Sequence, residues 1–486
     1  MVGFQVIMAR RAYDPFPHQA PLEHLPSEVD VLVIGGGNAA LCAALCARET
    51  GATVLLLEGA PRPFRGGNSR HTRDIRYMHE VVGPYVTGTY LEDEFWDDLW
   101  RVTGGETDET LARQTIRESA DIVEWTQAHG VEWQPPLRGT LHLSRTNVFM
   151  LGGGTGMMNG YYACAFATGV QVAYEADVQA LEIVDGRFRS ASVCFGGQVH
   201  KVAARAVVVA AGGFEANLEW LKEYWGKAAD GFVIRGTPYN KGALLKSLLE
   251  GGAKRIGNPR EFHAVAVDAR APQFDGGIVT RLDSVPFGVV VNQDAERFYD
   301  EGEDFWPKRY AIWGGLIARQ PDQIAYSIVD STMIDCFMPS VFPPVEAASL
   351  PQMADHFGLD ALTLERTVEE FNRSVRPGHF DPNTLDECHT EGLTPPKSHW
   401  AVRVEKPPFY GYPLRPGITF TYMCVKVDNH ARVFHEEGSP FENIVAAGEV
   451  MAGNILGRGY LAGFGLTIGT VFGRIAGKEA AARASI

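Results

Sequence analysis

The first continuous apolar run is Val31-Leu32-Val33-Ile34, and the turn Gly35-Gly36-Gly37 closes it. A short apolar run bounded by glycines predicts a strand buried on both faces. Asn38 to Thr50 is dominated by small residues and predicts a helix lying close to a sheet. Val54 to Leu57 predicts a second buried strand, ending in Glu58. Strand, helix and strand make a βαβ unit. Residues 90–130 predict helices, with the acidic start Glu92-Asp93-Glu94 suited to a helix N-terminus. Strands are predicted at Val170 to Tyr174, Val178 to Ile183 and Phe188 to Cys194, with a turn at Asp185-Gly186. Val207 to Ala210 is another buried strand before Gly212-Gly213.

From about Asn258 to Thr421 prolines and aromatics become frequent and the βαβ rhythm stops. It resumes at Ile444 to Ala447, followed by Gly448-Glu449, a glycine-rich loop and a last helix. The expected fold class is therefore α/β. A Rossmann-like dinucleotide-binding domain spans 29–257 and 422–486, and an inserted α+β capping domain spans 258–421. Residues 1–28, rich in Pro and His, are expected to form an N-terminal arm.

A chain of 486 residues suits two or three such domains. The net charge of −15 disfavours nucleic acid and anionic membrane as partners. An anionic substrate then requires a local cluster of arginines. The seven cysteines are scattered without a Cys-x-x-Cys pair, which argues against a disulfide framework and against iron–sulfur or zinc. No metal is expected. There is no run of eighteen apolar residues, and the arginines at positions 10 and 11 follow the first apolar stretch instead of preceding it. A cytoplasmic location is expected.

Gly35-x-Gly37-x-x-Ala40 follows a strand and opens a helix, the context that gives this pattern weight. Gly35 permits the tight turn, Gly37 lets a pyrophosphate reach the backbone, and Ala40 lets helix and sheet approach. Free N–H groups at Asn38 and Ala39 face the phosphates. Glu58 is placed for ribose hydroxyls, which argues against a 2′-phosphate. This fingerprint alone leaves NAD and FAD open.

Three further segments narrow the choice: Gly66-Gly67-Asn68-Ser69, Ala206 through Phe214, and Ala447-Gly448-Glu449 ahead of Arg474 to Gly477. In this order they resemble the flavoprotein family of soluble fumarate reductases, succinate dehydrogenase flavoprotein subunits and ketosteroid dehydrogenases. The likeness runs from Val29 to nearly the end of the chain. It implies FAD, held non-covalently. Gly66, Gly67, Asn68 and Ser69 would line the isoalloxazine. Val178 would touch adenine, and Ala211 and Gly212 the pyrophosphate and adenosine. Glu449, after Gly448, would hold the ribitol. Leu466 and Thr467 would donate N–H groups to the flavin pyrimidine.

The family oxidises or reduces a C–C bond beside a carboxylate or carbonyl, with hydride exchanged at flavin N5. Arg297-Phe298-Tyr299-Asp300-Glu301 resembles its Arg-Phe-Val-Asn-Glu stretch. The arginine that moves the proton follows it, which implies Arg309, with Lys308 and Tyr310 as substitutes. His263 stands where the family has His-Pro-Thr. The expected catalytic set is Arg309, His263, Arg458 and Tyr460. Arg70, His71, Thr421 and Arg281 are expected at the substrate, with Arg73, Lys308 and Arg415 as further cations. The fumarate reductases' histidine clamp is replaced by Thr419-Phe420-Thr421-Tyr422-Met423. The replacement stretches, with Phe305 to Tyr310 and Gly457-x-Gly459-Tyr460-Leu461-Ala462-Gly463, resemble the FAD-dependent tricarballylate dehydrogenase subgroup. That implies oxidation of tricarballylate to cis-aconitate. It also implies a separate electron acceptor, a membrane-associated iron–sulfur protein, with the chain free in the cytoplasm or peripheral to the membrane through it. The alternatives are a fumarate or enoate reductase, a ketosteroid-dehydrogenase-like enzyme, and a flavoprotein electron-transfer subunit of a tetrapyrrole pathway.

Overall fold

The computed structural model describes residues 22–137, 143–275 and 280–485. Most of the expected N-terminal arm, residues 1–21, lies outside the described residues. Strand β1 (Glu28–Ile34) runs into helix α1 (Asn38–Glu49) and strand β2 (Val54–Glu58). β2 pairs in parallel with β3 (Gln171–Tyr174), and β1 with β4 (Gln198–Val209). Val31 to Ile34 and all of β2 are buried, as continuous apolar runs covered by helices must be. A hairpin of Asp177–Val184 and Arg187–Phe195 turns at Asp185-Gly186 and pairs antiparallel with β4. Residues 92–128 form three helices, at Glu92–Thr103, Glu109–Glu118 and Ile122–Ala128.

Among the described residues a second sheet has seven strands. It contains β5 (Val233–Arg235), β6 (Phe262–Asp268) and the thirteen-residue β7 (Phe409–Thr421). β7 pairs with β5, with β6, and with the strands Ala325–Val329 and Val345–Ala347. This sheet takes in residues 233–235, upstream of residue 258, where the inserted domain was expected to begin. The chain returns to the first sheet through β8 (Pro440–Ala446), parallel to β4, and ends in α2 (Phe464–Ala484).

α2 packs against α1 through small residues. A Cβ on Gly473 would lie 2.6 Å from the Ala39 carbonyl oxygen, and one on Gly477 would lie 2.2 Å from that of Ala43. The Asn38 side chain joins the two N-termini, donating Nδ2 to Leu466 O and to Thr470 Oγ1, both at 3.0 Å. Among the described residues no helix is long and apolar enough to cross a membrane.

Candidate active site

Gly35 has a φ of +115°, and a Cβ there would lie 2.2 Å from the Ala210 carbonyl oxygen. At Gly36 a Cβ would lie 2.1 Å from Glu58 Oε2 and 2.3 Å from the Tyr162 hydroxyl. Only bare backbone fits this turn, and it opens with the N-terminus of α1 onto a cavity of about 460 Å3. Of the residues expected to hold the cofactor, Gly35, Gly37, Asn38, Ala39 and Glu58 line the cavity. So do Gly67, Asn68, Ser69, Val178, Ala211, Gly212, Gly448, Glu449 and Leu466. Gly66 donates its N–H to Glu58 Oε2 at 3.1 Å, and Ala60 donates to Oε1 at 2.9 Å. Burial pushes the Glu58 carboxyl above its ordinary range, and these two donors oppose the shift. Thr467 uses its groups elsewhere: its N–H donates to Gly463 O and its hydroxyl to Arg76 O.

Diphosphate chemistry fits this cradle. A glycine turn that excludes side chains and a helix N-terminus facing the cavity are what an extended dinucleotide needs, although the Asn38 N–H, expected to be free, is here taken by Ser69. Gly67–His71 form a 3-10 turn, and Ser69 Oγ in it accepts the Asn38 N–H at 3.0 Å. His71 ends that turn. Thr421 does not stand apart as a substrate group, because its N–H and hydroxyl both donate to Glu449 Oε1, at 2.7 and 3.0 Å.

Thr419, Phe420, Tyr460 and Leu466 also line the cavity, and a second group of side chains gathers against them. His263, on β6, stacks on Tyr460 with ring centroids 3.9 Å apart and planes 12° from parallel. Tyr310 meets the same imidazole edge-on at 5.5 Å. Arg281 places its guanidinium 5.2 Å from the Tyr310 ring centre and pairs with Asp283 at 2.8 Å. Asp283 also accepts from Trp306 Nε1 at 2.6 Å. Arg235, at the end of β5, donates to Thr419 Oγ1 at 3.0 Å. Removal from water, with repulsion from Arg281, lowers its pKa to about 10. His263 is 3% exposed, and both its ring nitrogens are buried without a hydrogen-bond partner. Burial, then the charges of Arg235 and Arg281, hold its pKa well below the ordinary imidazole range, so it is neutral.

The structure thus brings His263, Tyr460 and Arg281 together. It adds Arg235, which sequence reasoning missed because an arginine ending a three-residue strand carries no motif. Tyr310, expected as a substitute for Arg309, belongs to the set, and the charge of Arg73, another expected cation, reaches Arg235, Asp283 and Tyr310. Other expected groups are engaged elsewhere. Arg309 forms an ion pair with Glu303, whose other oxygen accepts the Tyr299 hydroxyl at 2.7 Å. Arg458 is half-exposed, donating to Thr103 O at 3.0 Å and facing Glu106 at 3.6 Å. Arg70 donates to Pro63 O at 2.8 Å and lies over the Phe64 ring. Arg415 is bound to the carbonyls of Asp322 and Gln323, and Lys308 to Asp98.

The FAD binding domain family model matches residues 30–466. Over 471 residues the chain is 26% identical to NADH:fumarate oxidoreductase of Klebsiella pneumoniae (strain 342), covering 94% of this chain and 48% of that protein. It thus spans about half the length of that relative. It is also 26% identical over 474 residues to the probable fumarate reductase Ifc3 of Shewanella frigidimarina (strain NCIMB 400), covering 94% of this chain and 76% of the relative. In fold it is similar to the 3-ketosteroid-Δ4-(5α)-dehydrogenase from Rhodococcus jostii RHA1 in complex with 4-androstene-3,17-dione, with a TM-score of 0.72 and 21% identity over 95% of this chain and 98% of that one. The glycine cradle, the family match and these fumarate reductase-like relatives agree, and the chain belongs to the FAD binding domain family of flavin-dependent oxidoreductases.

Proposed function

We propose that the chain dehydrogenates a small polycarboxylate at a C–C bond beside its carboxylates, with tricarballylate to cis-aconitate as the favoured pair. The observation that carries this reading is buried His263, unpartnered at both nitrogens and flanked by Arg235 and Arg281. A buried polar group left unpaired costs about 1–3 kcal/mol. An entering carboxylate offsets that cost by accepting from the imidazole, and guanidinium groups add charge-assisted bonds. A ketosteroid would desolvate the same groups and offer only neutral carbonyl acceptors, leaving the two guanidinium charges uncompensated.

FAD, when bound, supplies the hydride acceptor. The chain's own groups do the rest. The Gly35–Gly37 turn and the N-terminus of α1 hold the diphosphate. Arg235 and Arg281 orient the substrate carboxylates. In the oxidation the neighbouring carbon gives its proton to Tyr310 acting as the phenolate, in place of Arg309, because Tyr310 stands against His263 and Arg309 is held by Glu303. Burial raises the Tyr310 pKa, while Arg235 and Arg281 pull it down. A neutral Tyr310 also serves the reverse step as a proton donor, and relatives named as fumarate reductases support enoate reduction as the second reading. Electrons leave through a separate acceptor, for which a membrane-associated iron–sulfur protein is the proposal.

The test is binding to the oxidised holoenzyme, read from perturbation of the flavin visible spectrum. cis-Aconitate, the product acid, which the oxidised flavin does not turn over, should saturate the site, and Arg281→Ala should weaken its binding at least tenfold. Saturation by 4-androstene-3,17-dione with no response to the acids would overturn the reading.

A further inference from the structure

A pair of carboxylates beside the cavity has no part in the chemistry above. Glu215 directly follows Gly212-Gly213-Phe214 and is completely buried. Its Oε1 accepts from Asn68 Nδ2 and from Asn240 Nδ2, both at 2.7 Å. Asn68 is fixed on its other sides, donating to Thr419 O at 2.7 Å and accepting the Thr237 N–H at 2.8 Å. Asn68, Asn240 and Thr237 all line the cavity. The second oxygen, Glu215 Oε2, is buried with no donor. The carboxyl that meets Glu215 is that of Glu449, itself buried and lining the cavity. The strand residue Thr421 occupies Glu449 Oε1, and a Cβ on Gly213 would lie 2.1 Å from that oxygen.

Two carboxylates removed from water and in contact do not both ionise, so one proton between them turns the orphaned oxygen and its neighbour into donor and acceptor. We propose that Glu215 is a positioning residue that shares one proton with Glu449. The shared proton locks Asn68 and Glu449 against the cofactor, so that retention of FAD depends on pH. The other titratable groups that face the pair give it no counter-charge. Tyr422 and Cys424, which follow β7 and feel Glu449, are kept neutral by burial. Lys241 lines the same cavity but is exposed. Burial raises both carboxyls, Glu215 strongly and Glu449 to about 7. The pair gives up its first proton at about 7 and keeps the shared one until the pH passes the more strongly raised Glu215 carboxyl, so the lock survives at neutral pH and is lost on the alkaline side. The inference rests on FAD binding and is independent of which acid is oxidised.

The experiment follows FAD release from diluted holoenzyme by the fluorescence of the freed flavin, from mildly acidic to mildly alkaline pH. Wild-type release should accelerate at least tenfold on the alkaline side. Glu215→Gln presents an amide donor to Glu449 and still accepts from both asparagines. It should retain FAD and show a flat profile. Glu215→Ala should release FAD faster at every pH. A flat wild-type profile, or a Glu215→Gln profile that keeps the wild-type slope, overturns the proposal. Infrared spectra of the wild type give a reading that no variant can spoil. A protonated-carboxyl C=O band should vanish as pH rises, and its absence at low pH overturns the shared proton.

Discussion

At the scale of single residues, the site depends on positions where no atom can be added or removed without consequence. Gly36→Ala would drive a methyl into Glu58 and Tyr162, so the variant should purify without flavin, which the absorbance ratio of cofactor to protein measures. Arg281→Ala should raise KM for the acid at least tenfold, since a charge-assisted bond contributes about 1.5–3 kcal/mol. Tyr310→Phe should lower kcat with KM little changed, because in the proposed reaction the hydroxyl moves a proton and does not bind. The Glu215–Glu449 pair sets a pH dependence on cofactor-free protein as well. Unfolded Glu449 titrates near its ordinary 4.5 and the folded group near about 7. The folded state binds more protons in that window, so Tm should fall as pH rises across it, and Glu215→Gln should make the slope shallower by removing the Glu215 share, while burial of Glu449 keeps the rest. The glycine fingerprint and Glu58 were legible in the sequence because their role is local. Arg235 was not, because β5 and β7 bring it to Thr419 from 184 positions away. The partner of Arg309 was not legible for a related reason: resemblance pointed to its neighbourhood, while the acid that holds its guanidinium, Glu303, carries no motif.

Whole elements divide in the same way. β1, α1, β2 and the Val178–Cys194 hairpin were readable because each is a short pattern whose partner lies nearby in the chain. The second sheet was not. Its central strand, β7, contains Pro413, Pro416 and two glycines, which read as loop. It becomes a strand because partners at 233–235, 262–268, 325–329 and 345–347 converge on it. The α1–α2 contact makes a direct prediction. Gly477→Val would place its Cβ 2.2 Å from the Ala43 carbonyl oxygen. Overpacking of this kind costs about 1–3 kcal/mol, so thermal unfolding should begin several degrees earlier.

Across the whole molecule, the site lies where two sheets meet, one supplying the cradle and the other His263, Arg235 and Thr419. Helix Glu92–Thr103 ties them together. Its Asp98 accepts Lys308 Nζ at 2.6 Å and its Arg101 pairs with Asp304 at 2.6 Å, on either side of Trp306. Trp306 in turn braces Asp283 and Arg281. Lys308→Met should therefore lower kcat while flavin content stays unchanged, and adding Asp98→Asn should recover part of the lost stability, because without Lys308 the buried acid is left, among the described residues, with only the Tyr90 hydroxyl and the more distant Arg101. The central claim is chemical, and anaerobic mixing of the oxidised holoenzyme with tricarballylate tests it most directly. The account predicts bleaching of the flavin absorbance, fast in wild type and slowed in Tyr310→Phe. A flavin that stays oxidised with tricarballylate, yet reoxidises from its reduced form with no enoate offered, cis-aconitate and fumarate included, would contradict it.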